Sequence, residues 1–103
     1  MNRYTIAWRP NARDDLVDLY DWIAERADGA TAFEYTAKIE QFVTGLSEFP
    51  ERGTPRDDLV IGMRTLAYRR RTVIAYRVRA NQVEVLRIIR TGQDWTSKGF
   101  LSA

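Results

Sequence analysis

Thr72-Val73-Ile74-Ala75-Tyr76-Arg77-Val78, then Arg79-Ala80-Asn81-Gln82, then Val83-Glu84-Val85-Leu86-Arg87-Ile88-Ile89-Arg90, forms two largely apolar runs around a short polar break. Side chains alternate on both sides of a short polar break, which is the pattern of two strands joined by a hairpin. Placing Val78 opposite Val83 fixes the register. Ile74, Tyr76, Val78, Val83, Val85 and Ile89 then share one face with Arg87. Val73, Ala75, Leu86 and Ile88 share the other, with Arg77 directly opposite Glu84. The first face is the expected core face. The second is too apolar for a fully solvated sheet, so a partner is expected to cover it.

Upstream, Met63 to Tyr68 alternates in the same way and adds a third strand, with Arg69-Arg70-Arg71 as the intervening turn. Before it, Glu51 to Ile61 carries Gly53, Pro55 and Asp57-Asp58 and reads as a loop. Further back the period becomes helical. Ala12, Leu16, Leu19, Tyr20, Ile23 and Ala27 predict a helix from about Pro10 to Ala27, with Pro10 tolerated at its first position. Ala32, Tyr35, Ile39, Phe42, Val43 and Leu46 predict a second helix from about Ala30 to Glu48, closed by Pro50. The short Asp28-Gly29 link makes the pair an antiparallel hairpin. Tyr4 to Trp8 is strand-like. The expected class is α+β: an N-terminal strand, an antiparallel helical hairpin, then a three-stranded antiparallel meander forming one small sheet. The chain has 103 residues, so one domain over residues 1–103 is expected.

Composition narrows the chemistry. The sequence has no cysteine and no histidine. Disulfides, thiolate metal sites and Ser-His-Asp or Cys-His catalysis are therefore excluded. The net charge of +2 hides a strong asymmetry. From Pro10 to Glu51, ten acidic residues face three basic ones. From Gly62 to Gln93, eight arginines face Glu84 alone. The basic half suits an anionic partner. Of the 16 basic residues, 14 are arginine, whose planar fork matches carboxylate and phosphate geometry. Apolar runs are too short for a membrane-spanning helix, and Met1-Asn2-Arg3-Tyr4 leads into a strand without a signal-peptide core. The cytoplasm is the expected location.

Several groups are candidates for function. Asp14, Asp18 and Asp21 lie on one helix face and read as a solvated ridge rather than a metal site. The Arg69-Arg70-Arg71 turn either grips phosphates or keeps a hairpin tip soluble, and both readings stay open. Arg64, Arg87 and Arg90 lie in or at the ends of strands. They either form a basic patch for an acidic target or pair with the helices' own carboxylates. Trp95 and Phe100 follow the last strand in an otherwise polar stretch. Trp95 is expected to dock on the domain, and Phe100 is left open between packing and contact with a partner.

Three stretches together resemble a known family. Trp8-Arg9-Pro10-Asn11-Ala12-Arg13-Asp14-Asp15-Leu16 is followed by Tyr20-Asp21-Trp22-Ile23-Ala24-Glu25. Ser47-Glu48-Phe49-Pro50-Glu51-Arg52-Gly53 comes next. Gly62-Met63-Arg64-Thr65-Leu66 then runs on through the strands to Gly92-Gln93-Asp94-Trp95. In this order the chain is similar to toxins of the RelE/ParE superfamily, and to the ParE branch over nearly its whole length.

The resemblance implies the same fold and a hetero-oligomeric complex with a cognate antitoxin. That antitoxin would be a ParD-like or other small DNA-binding protein, through which alone DNA would be contacted. For ParE proteins the implied target is DNA gyrase. For RelE proteins it is mRNA on the ribosome, cut by basic residues and a tyrosine. Arg64 matches the basic residue expected on the first meander strand. Val73 stands where an arginine should open the next strand. Gln93-Asp94 replaces a basic pair, and Phe100 is the nearest aromatic to the C-terminal tyrosine. A binding inhibitor of gyrase is therefore expected, with no catalytic residue, cofactor or metal. Arg64, Arg87, Arg90, Trp95 and Phe100 are the expected target-binding residues. Val73, Ala75, Arg77, Leu86 and Ile88 are the expected antitoxin-binding residues. The alternatives are a RelE-like ribosome-dependent endoribonuclease and a non-toxic relic that only binds antitoxin.

Overall fold

The computed structural model describes residues 3–94 and 99–101. A strand, β1 (Thr5–Trp8), leads into helix α1 (Pro10–Arg26). Arg9 is extended and offers no side-chain cap; Pro10 at the first turn needs no hydrogen-bond partner for its nitrogen. Helix α2 (Gly29–Thr44) follows. Asp28 caps it, its carboxylate accepting the Thr31 N–H at 2.6 Å. The predicted second helix ran to Glu48. The α-helix instead ends at Thr44, and Gly45–Ser47 tightens into a single 3-10 turn that still buries Leu46. Glycine is a poor helix former, which accounts for the change of winding there.

The sheet has five strands: the expected N-terminal strand and three-stranded meander, and a short strand, Thr54–Pro55, within the segment read as a loop. β2 (Thr54–Pro55), β3 (Met63–Tyr68), β4 (Thr72–Arg79) and β5 (Gln82–Arg90) join β1 in the order β1-β5-β4-β3-β2. β1 runs parallel to β5, and the other pairings are antiparallel. The sheet is mixed because the chain, after the helical hairpin, re-enters at the far edge as β2, and the meander then works back until β5 lies parallel beside β1. The antiparallel meander predicted from sequence is present within it.

Val78 does stand opposite Val83 and Arg77 opposite Glu84. Past that point the register slips. Tyr76 pairs with Val85, but Ala75 pairs with Arg87, so Leu86 is an inserted bulge residue. The bulge reverses the alternation. Ile88 joins the main core, with Leu16, Leu19, Ile39, Val43, Ile74, Tyr76, Val83 and Val85. Ile89 joins a second cluster with Met63, Ala75 and Leu86. The sequence reading had Ile88 and Ile89 on the opposite faces.

A second correction concerns the far face of the sheet. It is not open. Phe100 is buried against it, and Leu59, Val60 and Val73 pack around the same cluster. Two arginines hold the returning C-terminal segment. Arg87 donates to the Gly99 carbonyl at 3.1 Å and Arg9 to the Leu101 carbonyl at 3.0 Å. The apolar surface expected to need a partner is covered by the chain itself.

Candidate partner-binding groove

The sequence-predicted site residues scatter. Arg64 donates to the carbonyls of Glu51 at 2.9 Å and Gly53 at 2.8 Å, pinning the loop before β2. Arg87 grips Asp15 of α1 through two bonds of 2.7 and 2.6 Å, and Asp15 also accepts the Ile88 N–H at 2.9 Å. The hydrogen bond that Arg87 donates to Asp15 favours the charged guanidinium and outweighs the effect of partial burial. Arg87 thus follows the reading in which strand arginines pair with the helices' carboxylates. Phe100 is a packing residue. Trp95 lies outside the described residues. Of the expected antitoxin-binding set, Val73, Ala75 and Leu86 lie in the covered cluster and Ile88 in the main core. Arg77 bonds Glu84 at 2.7 Å. Asp14, Asp18 and Asp21 are exposed along α1. Among the described residues no three acidic side chains converge on a metal-sized centre.

Arg90 is different. It lies at the end of β5 beside Trp22 of α1, its guanidinium 4.3 Å from the ring centroid. Arg26, one turn beyond Trp22, stacks on the same indole at 4.1 Å. Around this trio α1, α2, the start of β4 with its turn, and the end of β5 line a groove of about 570 Å³. Its floor comes from Leu19, Trp22, Ile23 and Ala27 of the α1 segment and Tyr35 of α2. Those α1 positions recur at helical spacing, so one stripe of the helix makes the floor. The opposite rim is Arg70, Arg71 and Thr72, with Thr91 beside Arg90.

The rim is held in place. The Thr91 hydroxyl donates to the carbonyls of Arg70 at 3.2 Å and Arg71 at 2.8 Å, tying the β3–β4 turn to the end of β5. The Tyr35 and Thr72 hydroxyls bond at 3.0 Å across the groove's base. Arg69 and Arg70 have φ of +52° and +61°. This left-handed conformation suits glycine or asparagine and costs about 1–2 kcal/mol for another residue. Two arginines persist there without local conformational benefit.

The sequence alone reads Trp22 as a core or core-edge aromatic and leaves the triple-arginine turn open between two readings. The spacing of Trp22 and Arg26 was a usable signal. Their meeting with Arg70, Arg71 and Arg90 depends on the turn and strand end converging, which no local pattern records.

A helical hairpin on a small mixed sheet is the α+β fold of the RelE/ParE toxin class. The comparisons agree. The family described as "ParE toxin of type II toxin-antitoxin system, parDE" matches residues 6–95. The chain belongs to that family.

Among solved structures, the chromosomal ParDE system from P. aeruginosa is similar over 85% of this chain and 96% of that one, with 27% identity and a TM-score of 0.76. The toxin–antitoxin complex RelBE2 from Mycobacterium tuberculosis is similar over 90% of this chain and 97% of that one, with 27% identity and a TM-score of 0.66. No curated protein sequence matches. The chain is a ParE-like toxin of the type II toxin–antitoxin class. Among the described residues no helix is long and apolar enough to cross a membrane.

Proposed function

We propose that this toxin acts in the cytoplasm as one domain, and that it arrests growth by binding DNA gyrase until a ParD-like antitoxin neutralises it. The observation that carries the binding reading is the groove itself. It gathers Arg26, Arg70, Arg71 and Arg90 over an apolar floor, and none of its lining side chains is a ready proton acceptor at neutral pH. Arginine stabilises anionic charge but stays protonated, so such a site is better suited to holding an anionic partner than to moving protons. Arg90 remains in this proposal as a contact residue. Arg87 and Phe100 leave it, because each has a structural task.

The RelE-like reading draws on the likeness to the RelBE2 complex and on Arg64. Arg64, however, spends its two described bonds on loop carbonyls. Val73, Gln93, Asp94 and Phe100 still stand where the ribonuclease pattern asks for other residues.

Induced expression in a bacterial host tests the toxin reading. Growth should stop on induction and resume when the adjacent reading frame is co-expressed. Unimpaired growth with abundant folded protein would contradict the proposed activity and favour the relic.

A further inference from the structure

The groove described above has a composition that specifies its occupant. Four guanidiniums line it, and none of the lining residues is a carboxylate among the described residues. The floor is apolar and the volume of about 570 Å³ accommodates large side chains rather than a single ion. An occupant must therefore bring both negative charge and an apolar anchor.

Two features separate a peptide from a nucleic acid. Trp22, the aromatic surface on which a base would stack, already carries the guanidiniums of Arg26 and Arg90 at 4.1 and 4.3 Å. The crevice adjoining the groove shares Leu19, Trp22 and Arg90 with it but adds Asp15 and Asp18. A continuous polyanion leaving the groove on that side meets carboxylates, whereas a peptide can change its charge from one residue to the next.

We propose that the groove takes a segment of the antitoxin in which aspartate or glutamate side chains flank a large apolar residue. The apolar residue sits on Leu19, Ile23 and Ala27, beside the Trp22 ring that the two guanidiniums cover. The carboxylates meet Arg70 and Arg71 of the β3–β4 turn and Arg90 at the end of the neighbouring β5, where the guanidinium fork offers paired bonds. The left-handed backbone at Arg70 fits this role. It keeps a basic turn at the rim where glycine would be locally easier. The inference rests on the toxin reading for the identity of the partner, while the chemistry of the groove stands on its own residues.

The test measures binding of the protein encoded beside the toxin gene to purified wild-type toxin, to a double charge reversal (Arg70→Glu with Arg71→Glu) and to Arg69→Glu. Arg69 belongs to the same turn but does not line the groove. Melting temperature checks each fold. The double reversal should weaken binding at least tenfold, and Arg69→Glu should stay within twofold. In a parallel NMR titration of the wild type, the Trp22 indole signal should shift. Equal binding of wild type and double reversal, equal losses from all the reversals, or an unmoved Trp22 signal would overturn the groove assignment and leave the toxin reading intact. Tighter binding of a thymidine oligonucleotide, competing at the same residues, would replace the peptide by a nucleic acid.

A random peptide library panned on the wild type separates the remaining failure. If the neighbouring protein does not bind at all, the toxin reading and the named occupant fall together. Acidic, apolar-anchored peptides that lose binding to the double reversal would then still support the groove's chemistry. Neutral or basic peptides would overturn that too.

Discussion

Asp15 and Arg87 form a two-pronged ion pair across 72 residues of chain, with bonds of 2.6 and 2.7 Å, and the same carboxylate accepts the Ile88 N–H. The parallel pairing of β1 with β5 ends at Val85. Asp15 takes over where β1 stops, so α1 satisfies the edge of β5 that no strand covers.

Removing Arg87 leaves a buried carboxylate without its cation. Arg87→Ala is expected to lower stability by about 3–5 kcal/mol, read as a fall in the urea midpoint. Asp15→Asn should cost less, since the amide oxygen can still accept from Ile88. A fully stable Arg87→Ala protein would show that the pair has no structural role.

Glu84 sits among three arginines, with Arg77 at 2.7 Å, Arg9 at 3.5 Å and Arg79 at 4.0 Å. Burial pushes its carboxyl up, but the Arg77 bond and the three positive charges win and hold it below the usual 4.5. A depressed carboxyl contributes stability that is present above its unfolded value and is lost as pH falls through its folded one. The wild type should therefore exceed Glu84→Gln by about 1.5–3 kcal/mol at neutral pH, with the gap closing below about pH 4. Denaturation curves across that range provide the check. A gap that does not change with pH would mean Glu84 does not titrate as the geometry requires.

The Tyr76 hydroxyl donates to the Pro50 carbonyl at 2.8 Å and accepts the Gly53 N–H at 2.9 Å. A Cβ at residue 53 would lie 2.6 Å from that hydroxyl and 3.0 Å from the Thr65 carbonyl. Gly53→Ala should cost about 1–3 kcal/mol through overpacking. Tyr76→Phe should cost a similar amount by leaving two buried groups unpaired. Combining them should cost less than the sum, because the phenyl ring relieves the clash. Strict additivity would argue that the two residues do not act on one contact.

Arg69→Gly and Arg70→Gly each remove a left-handed side chain from the turn. Each should raise stability by about 1 kcal/mol in thermal melts. Only Arg70→Gly should also weaken antitoxin binding, since only Arg70 lines the groove. Gains in stability with identical losses of binding in both variants would detach the turn's chemistry from the groove.

The fold was largely legible because periodicity records it. Alternation marked β3, β4 and β5, helical spacing marked α1 and α2, and Val78 opposite Val83 set the hairpin. The errors began at Leu86. A bulge adds one residue without any mark in a run as apolar as Leu86-Arg87-Ile88-Ile89, and every side chain beyond it changes face. Phe100 was ambiguous for another reason. A buried aromatic and a partner-facing one look alike in a polar tail, and only the return of the chain under the sheet distinguishes them. The candidate site was the least legible part. Arg90 was singled out, but its neighbours Trp22, Arg26, Arg70 and Arg71 come from two other elements.

The proposed inhibition by gyrase binding is open to one paired assay. Purified toxin is added to gyrase, with supercoiling and cleavage complexes measured, and in parallel to a reconstituted translation reaction whose mRNA ends are mapped. The account predicts loss of supercoiling with accumulated cleavage complexes, relieved by antitoxin, and intact mRNA. Codon-positioned mRNA cuts with gyrase unaffected would contradict it.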